Sequence, residues 1–188
     1  MRLLIYGGQE FAATASELAR HCGHHVEGMV NDFNIGREII GSLESVINSH
    51  PPGEFGIVLA IGYKRLEARW IAFQRVKAAG YSIPALIHPR AYVADSAHVS
   101  VGCMVMAGAI IDVRTSIDEA AVIWPGACIN HDCNVGPNSF VSPNATLCGH
   151  VHLGANCFVG AGAAIVDHCS VQAGTRIGML ARYTGTTA

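Results

Sequence analysis

Residues 127–147 read ACINHDCNVGPNSFVSPNATL, and within that stretch Ile129, Val135, Val141 and Leu147 stand six residues apart. The spacing holds outward in both directions. Val93, Val99, Val105, Ile111, Ile117 and Ile123 precede it, and Leu153, Val159, Ile165, Val171 and Ile177 follow. That makes fifteen aliphatic slots in one register, with only six other Val, Ile or Leu residues between Ala91 and Gly178. Two residues before each slot stands Ala, Cys, Ser or Thr in fourteen cases and Val151 in the fifteenth. A helix repeats every ~3.6 residues and a half-buried strand every two, so neither produces a period of six. Repeats of this form build a parallel β-helix.

Each hexapeptide supplies a short strand and a tight corner, and three of them close a triangular coil of 18 residues. The aliphatic side chain points inward and stacks on its counterparts in neighbouring coils. Val93, Ile111, Ile129, Leu147 and Ile165 should therefore form one column. At a strand spacing of ~4.8 Å, about five coils rise to roughly 24 Å. Each coil buries its stripe only against its neighbours, so the unit is stable as a stack.

Before Ala91 the grammar changes. Arg2 to Tyr6 reads as a buried strand followed by Gly7-Gly8. Phe11 to Arg20 reads as a helix, and His25 to Val30 as a second strand ending in Asn31-Asp32. Ile39-Ile40 reads as a short extended piece and Leu43 to Ser49 as a short helix. Gly56 to Ile61 has no polar alternation, as in a strand covered on both faces. Lys64 to Ala79 carries Leu66, Trp70, Phe73 and Val76 at helical spacing, and Ile83 to Ile87 reads as a last strand. Alternating strands and helices predict an α/β, Rossmann-like domain over residues 1–89. The all-β parallel β-helix then occupies 90–188. Gly7 and Gly8 sit where such a domain binds phosphate or nucleotide, without a full G-x-G-x-x-G. Asp32 ends the second strand, where it can reach a ribose or base.

A net charge of −2 with no basic cluster argues against nucleic acid as the partner. No apolar run approaches the ~20 residues that span a bilayer, and Met1 to Tyr6 is too short for a signal peptide. A cytoplasmic protein is expected. Of the seven cysteines, Cys103, Cys133, Cys157 and Cys169 occupy the small-residue slot and read as buried small hydrophobes, not disulfides.

An α/β domain followed by an unbroken hexapeptide β-helix resembles the sugar O/N-acyltransferases of the sialic-acid acetyltransferase type, which include acetyltransferases of nucleotide-linked 4-amino-sugars. The stretches that carry the resemblance are Ile5-Tyr6-Gly7-Gly8, Val30-Asn31-Asp32, Ala60-Ile61-Gly62, Ile87-His88-Pro89 and, above all, Asn130-His131-Asp132-Cys133-Asn134-Val135-Gly136. Pro143 to Leu147 and Gly160 to Ala163 also match the family's corner sequences. The resemblance implies left-handed coils and a homotrimer. It also implies acetyl-CoA bound between adjacent β-helices and a nucleotide-linked sugar held by the N-terminal domain, at Gly7, Gly8, Asn31, Asp32 and Gly62. It makes His131 the catalytic base and Asp132 its partner. Three places depart from the family pattern. The glycine loop reads Gly7-Gly8-Gln9-Glu10-Phe11. Phe140 stands where many members carry a second His or Asn, so a polar contact in the site is expected to be lost. Met179 follows Ile177-Gly178 where a further glycine is usual.

Acyl transfer from a thioester needs a base, a hydrogen-bonded place for the oxyanion, and positioning. Histidine is the side-chain type that titrates nearest neutrality, and His131, two residues past the inward Ile129, should lie on an outer corner. Asp132 would hold its tautomer. Gly149, 18 residues on, should lie directly against His131 and offer its amide to the oxyanion. Ser142, Gly160 and Ala161 are expected on the same stretch of the prism, as contacts of the CoA arm, and Gly178 as a further CoA contact. No metal is expected. Two alternatives stand beside this reading. Asp132, His150 and His168 share a column with Arg114 and could bind zinc, as in γ-class carbonic anhydrases. Alternatively, the chain binds a nucleotide-sugar without turning it over.

Overall fold

The computed structural model describes residues 1–34, 36 and 38–187. Contacts divide the chain into two units, Met1–Leu86 and Ile87–Ala188.

In the first unit, β1 (Arg2–Gly7), β2 (His25–Val30), β3 (Ile39–Gly41) and β4 (Phe55–Ala60) form a parallel sheet in the order β3-β2-β1-β4. Leu3, Leu4 and Ile5 of β1 and Ile57, Val58 and Leu59 of β4 are almost entirely buried. Both strands are buried along their length, β1 inside the sheet and β4 at its edge, which matches their unbroken apolar runs. Helix α1 (Gln9–His21) buries Ala12, Ala15, Leu18 and Ala19. After the short α2 (Leu43–Val46) and β4, a 3₁₀ turn at Tyr63–Arg65 leads into α3 (Leu66–Ala78). Helix α3 buries Leu66, Phe73 and Val76, and Trp70 stacks on Phe73 with ring centroids 5.2 Å apart. The chain runs from β1 to β2 on one side and reaches β4 on the other. The strand order therefore reverses beside β1, which opens a crevice at the carboxyl ends of β1 and β4. Gly7 ends β1 at φ +152°, and a Cβ there would collide with the carbonyl of Ala60. Only glycine lets β1 turn into α1 so close to β4.

One expected strand is absent from this sheet. Ile83 to Ile87 yields only Leu86–Ile87, which begins a face of the β-helix, while Ser82 makes an isolated bridge to Gly56. Pro84 has no N–H to donate to a ladder. The helix expected from Leu43 to Ser49 ends at Val46.

The second unit is a parallel β-helix of three faces. One carries the strands that begin at Tyr92, Ile110, Cys128, Thr146, Ala164 and Arg182; a second those at His98, Ser116, Asn134, His152 and Cys169; the third those at Met104, Val122, Phe140, Phe158 and Arg176. The expected column is present: Val93 pairs with Ile111, Ile111 with Ile129, Ile129 with Leu147 and Leu147 with Ile165. From Ile111 to Ile165 its members are wholly buried. All seven cysteines are free. Those in the small-residue slot are buried, as expected, but they also bond. Cys103, Thr115, Cys133, Ser139 and Cys157 donate to carbonyls fifteen residues on, at Asp118, Asn130, Cys148, Gly154 and Gln172. Small polar side chains in the slot thus tie one corner to the next. Burial pushes the Cys133 thiol up to about 11, so it stays protonated and inert.

A second six-residue register appears at the corners. From Gly102 to Leu180 every sixth residue has positive φ, and nine of these positions are not glycine, among them Asp132, Asn138, Asn144, His150, Asn156 and His168. Asn, Asp and His tolerate this region better than other side chains. Phe140 lies on the third face, 2% exposed, between the rings of Trp124 and Phe158. The corner at His131 joins the first two faces, and Phe140 is a rung of a buried aromatic ladder on the third.

Candidate functional site

Two regions concentrate the chemistry, one in each unit. In the first, a cleft of about 510 Å³ opens at the carboxyl ends of β1 and β4 and is lined by Gly7, Gly8, Asn31, Asp32 and Gly62, among others. All five residues singled out from the sequence border this one space. Its detail differs from expectation at Asp32. That carboxylate accepts from the Tyr6 hydroxyl at 2.5 Å, from Nη1 of Arg75 at 2.6 Å and from the Leu43 amide at 3.0 Å. Burial pushes its pKa up, but the hydrogen bonds from Tyr6, Leu43 and Arg75 outweigh it and hold Asp32 below its ordinary value. Burial first, then Asp32, pushes the Tyr6 phenol well above its usual range. Asp32 therefore organises the cleft wall, with most of its acceptor capacity committed inside the protein. Asn31 is committed too: its amide donates to the Gly7 carbonyl, and its oxygen accepts from the amides of Phe33 and Asn34.

Sequence reasoning missed Arg75, Lys64 and Arg65, which bring positive charge to the cleft. Arg75 is 43 residues from Asp32, and no local pattern links them. The Lys64-Arg65 pair follows the Gly62 that was singled out, and that proximity was a usable signal.

In the second unit, His131 and Asp132 are the two residues of one corner, at the end of the strand Cys128–Ile129. Nδ1 of His131 lies 2.8 Å from Oδ2 of Asp132. Arg114, one coil away in the same column, grips that carboxylate with Nε to Oδ1 at 2.7 Å and Nη2 to Oδ2 at 2.8 Å. The Arg114 guanidinium, and then the hydrogen bond from His131, hold Asp132 well below the usual carboxylate range. An ionised carboxylate can only accept, so Nδ1 of His131 carries the proton. In the neutral ring the lone pair is then on Nε2. Arg114 was recognised in the sequence only as a member of the column; its role as the clamp on Asp132 follows from the 18-residue spacing.

Gly149 lies against the His131 ring, where a Cβ would come within 2.6 Å of Cε1 and 2.8 Å of Nε2. Among the described residues the Gly149 amide has no acceptor, while its carbonyl accepts from His168. A base, a clamp for that base and an uncommitted amide thus share one corner.

Ser142, Gly160, Ala161 and Gly178 are elsewhere. Within one chain they occupy the corner column between the third and first faces, not the His131 corner between the first and second. The expectation of one shared stretch of the prism is thereby corrected. Residues 18 apart share a corner, and Ser142, Gly160 and Gly178 are in step with one another but eleven residues out of step with His131. Ser142 and Gly160 are buried, and Gly160 packs directly on the backbone of Gly178 and Met179. Ala161 is half-buried, and Gly178 is exposed with open space where a Cβ would stand.

No helix among the described residues is long and apolar enough to cross a membrane. No protein-family model matches the chain, and no curated protein does. Solved structures do. The chain is similar over its whole length to the acetyltransferase domain of PglB from Neisseria gonorrhoeae FA1090, with 27% identity, 93% of that chain covered and a TM-score of 0.90. The same domain in complex with acetyl coenzyme A matches 97% of this chain and 92% of its own, at 26% identity and a TM-score of 0.86. PerB from Caulobacter crescentus, in complex with CoA and GDP-perosamine, matches 98% of this chain and 92% of its own, at 25% identity and a TM-score of 0.65. In fold and in length, the chain is similar to bacterial sugar acetyltransferases built on a parallel β-helix.

Proposed function

We propose that this protein transfers an acetyl group from acetyl-CoA to an amino group of a nucleotide-linked sugar. The observation that carries the proposal is the His131 corner. There an imidazole is clamped through Nδ1 by an ionised Asp132 and lies against the amide-bearing Gly149. The likeness to an acetyltransferase domain solved with acetyl coenzyme A, and to PerB solved with CoA and GDP-perosamine, supports the choice of donor and acceptor class. The same likeness supports left-handed coils and a Rossmann-like reading of the first unit.

The neutral amine attacks the thioester carbonyl carbon. Nε2 of His131 takes a proton from the amine nitrogen as the C–N bond forms. Asp132 offsets the charge on the imidazolium, and the Gly149 amide donates to the oxyanion. When the tetrahedral intermediate collapses, the C–S bond breaks and the thiolate leaves as CoA, collecting a proton. The product is an N-acetylated sugar nucleotide. A hydroxyl acceptor would use the same base; the amine is preferred because the bound sugar in PerB carries one.

The cleft bordered by Gly7, Gly8 and Gly62 would hold the nucleotide, with Arg75, Lys64 and Arg65 near its phosphates. The corner column of Ser142, Gly160, Ala161 and Gly178 would line the pantetheine arm of CoA. Because that column and His131 are on different corners of one chain, a complete site needs a second copy, and three copies around one axis give three equal sites. A reaction that draws on acetyl-CoA belongs in the cytoplasm, where seven free thiols also persist.

The test is thiol release from acetyl-CoA on adding UDP-, GDP- or dTDP-linked 4-amino-sugars. Acceptor-dependent release with an amide product is expected. No release with any acceptor of the panel would overturn the assignment.

A further inference from the structure

The His131 corner carries a second arrangement that acetyl transfer does not use. One ligand atom from each of His131, Asp132 and His150 lies within 4.8 Å of the other two. Nδ1 of His131 and Nε2 of His150 flank the same oxygen, Oδ2 of Asp132, at 2.8 and 3.8 Å. The 18-residue column pointed to a different trio, with His168 in place of His131. In the structure the His168 ring lies flat on His150, with centroids 4.5 Å apart and planes 9° from parallel, so it backs His150. The His131 ring meets His150 edge-on at 5.3 Å. Arg114 grips both oxygens of that carboxylate, Oδ2 included, as an outer-shell partner orients a metal ligand.

We propose that His131, Asp132 and His150 form a site for a divalent transition metal of the zinc or cobalt kind. Two imidazole nitrogens and one carboxylate oxygen suit such an ion, whereas calcium and magnesium ask for oxygen throughout. Three protein ligands leave a fourth, tetrahedral position to water. All three side chains reach solvent, at 47%, 22% and 45% exposure, so an ion has a way in. A metal on Nδ1 moves the ring proton of neutral His131 to Nε2, where the acyltransfer reading needs a lone pair. The ion is therefore an inhibitor of that reaction, not its cofactor, although binding does not depend on that reading.

The experiment is a titration of tag-free, chelator-stripped protein with Co²⁺, whose visible absorption reports tetrahedral ligation. Binding of one ion per chain is expected. His150→Asn keeps a residue type that this chain already uses at positive φ at Asn138, Asn144 and Asn156. It should weaken binding by more than the ~10–100-fold that an outer-shell partner is worth. His152→Asn, exposed on the neighbouring face, should bind as wild type does. Circular dichroism checks that both variants are folded. A wild-type protein that takes up no Co²⁺, or a His150→Asn protein that binds it equally well, overturns the site. Uptake is read without substrate, so failure of acetyl transfer and failure of metal binding are separate results.

Discussion

The imidazole of His131 packs on Gly149 so closely that a methyl group at residue 149 would approach Cε1 to 2.6 Å. The absence of a side chain at 149 thus sets the resting place of the ring. Gly149→Ala should push the ring off its position while leaving the coil intact. A displacement of ~1 Å can cost ~10²-fold in rate, so a fall of that order in kcat with little change in thermal stability is expected. Steady-state kinetics beside a melting curve would show it; an unaltered kcat would mean that the ring position is irrelevant to turnover.

His131→Ala should lower kcat by ~10²–10⁴-fold, the usual worth of a positioned base. The fold should survive, because the side chain is on the outside of the corner. Asp132→Asn should cost less, since Asp132 orients the ring and offsets its charge without touching the amine.

Asp132 also makes a statement about pH. Its folded pKa is depressed by Arg114 and then by His131. The stability it contributes is therefore present above the unfolded carboxylate value of ~3.9 and is lost only as pH falls through the lower folded value. Carbon NMR of the Asp132 carboxyl should show no titration from about pH 4 upward. In Arg114→Gln the midpoint should move up toward the ordinary range. A wild-type midpoint at or above the ordinary value would contradict the clamp.

Asp32→Ala should act first on the cleft and on stability. It removes the acceptor of the Tyr6 hydroxyl, of Nη1 of Arg75 and of the Leu43 amide, and leaves the bond from Arg75 to the Tyr6 hydroxyl. A loss of about 1–3 kcal/mol by urea denaturation is expected, because hydrogen bonds to a charged group are the stronger kind. Arg75 is about half exposed, which keeps its share small. KM for the sugar nucleotide should rise more than kcat falls. A variant of wild-type stability and KM would show that the network is incidental.

Mixed oligomers test whether the site is shared between copies. His131→Ala removes the base, and Gly178→Phe fills the open space on the other corner. Each alone should be nearly inactive. Random assortment in a trimer leaves about a quarter of the sites with both corners intact, if neighbours complete one another. Recovery of roughly that fraction of activity is expected on refolding the two together. No recovery would mean that each chain works alone.

The β-helix was legible in the sequence because its determinant is local and periodic. An aliphatic residue that must stack on its copy 18 residues away leaves a mark every six residues, and a corner that needs positive φ leaves another. The second mark, a Gly, Asp, Asn or His at every sixth position from Gly102 through Gly174 except at Arg114 and Ala120, was readable once the period was known. The Arg114–Asp132 clamp and the Gly149–His131 contact follow from the same 18-residue arithmetic. Side-chain direction does not. That His131, and not His168, turns toward Asp132 beside His150 depends on ring orientations set by packing between coils. The assignment of Asp32 to Tyr6, Arg75 and Leu43 needed the sheet order, since these residues come from β1, α3 and α2 and share no spacing. The separation of the Ser142 column from the His131 corner was implicit in the numbering. That these residues occupy a different corner from His131 emerged only when the three faces were laid out in space.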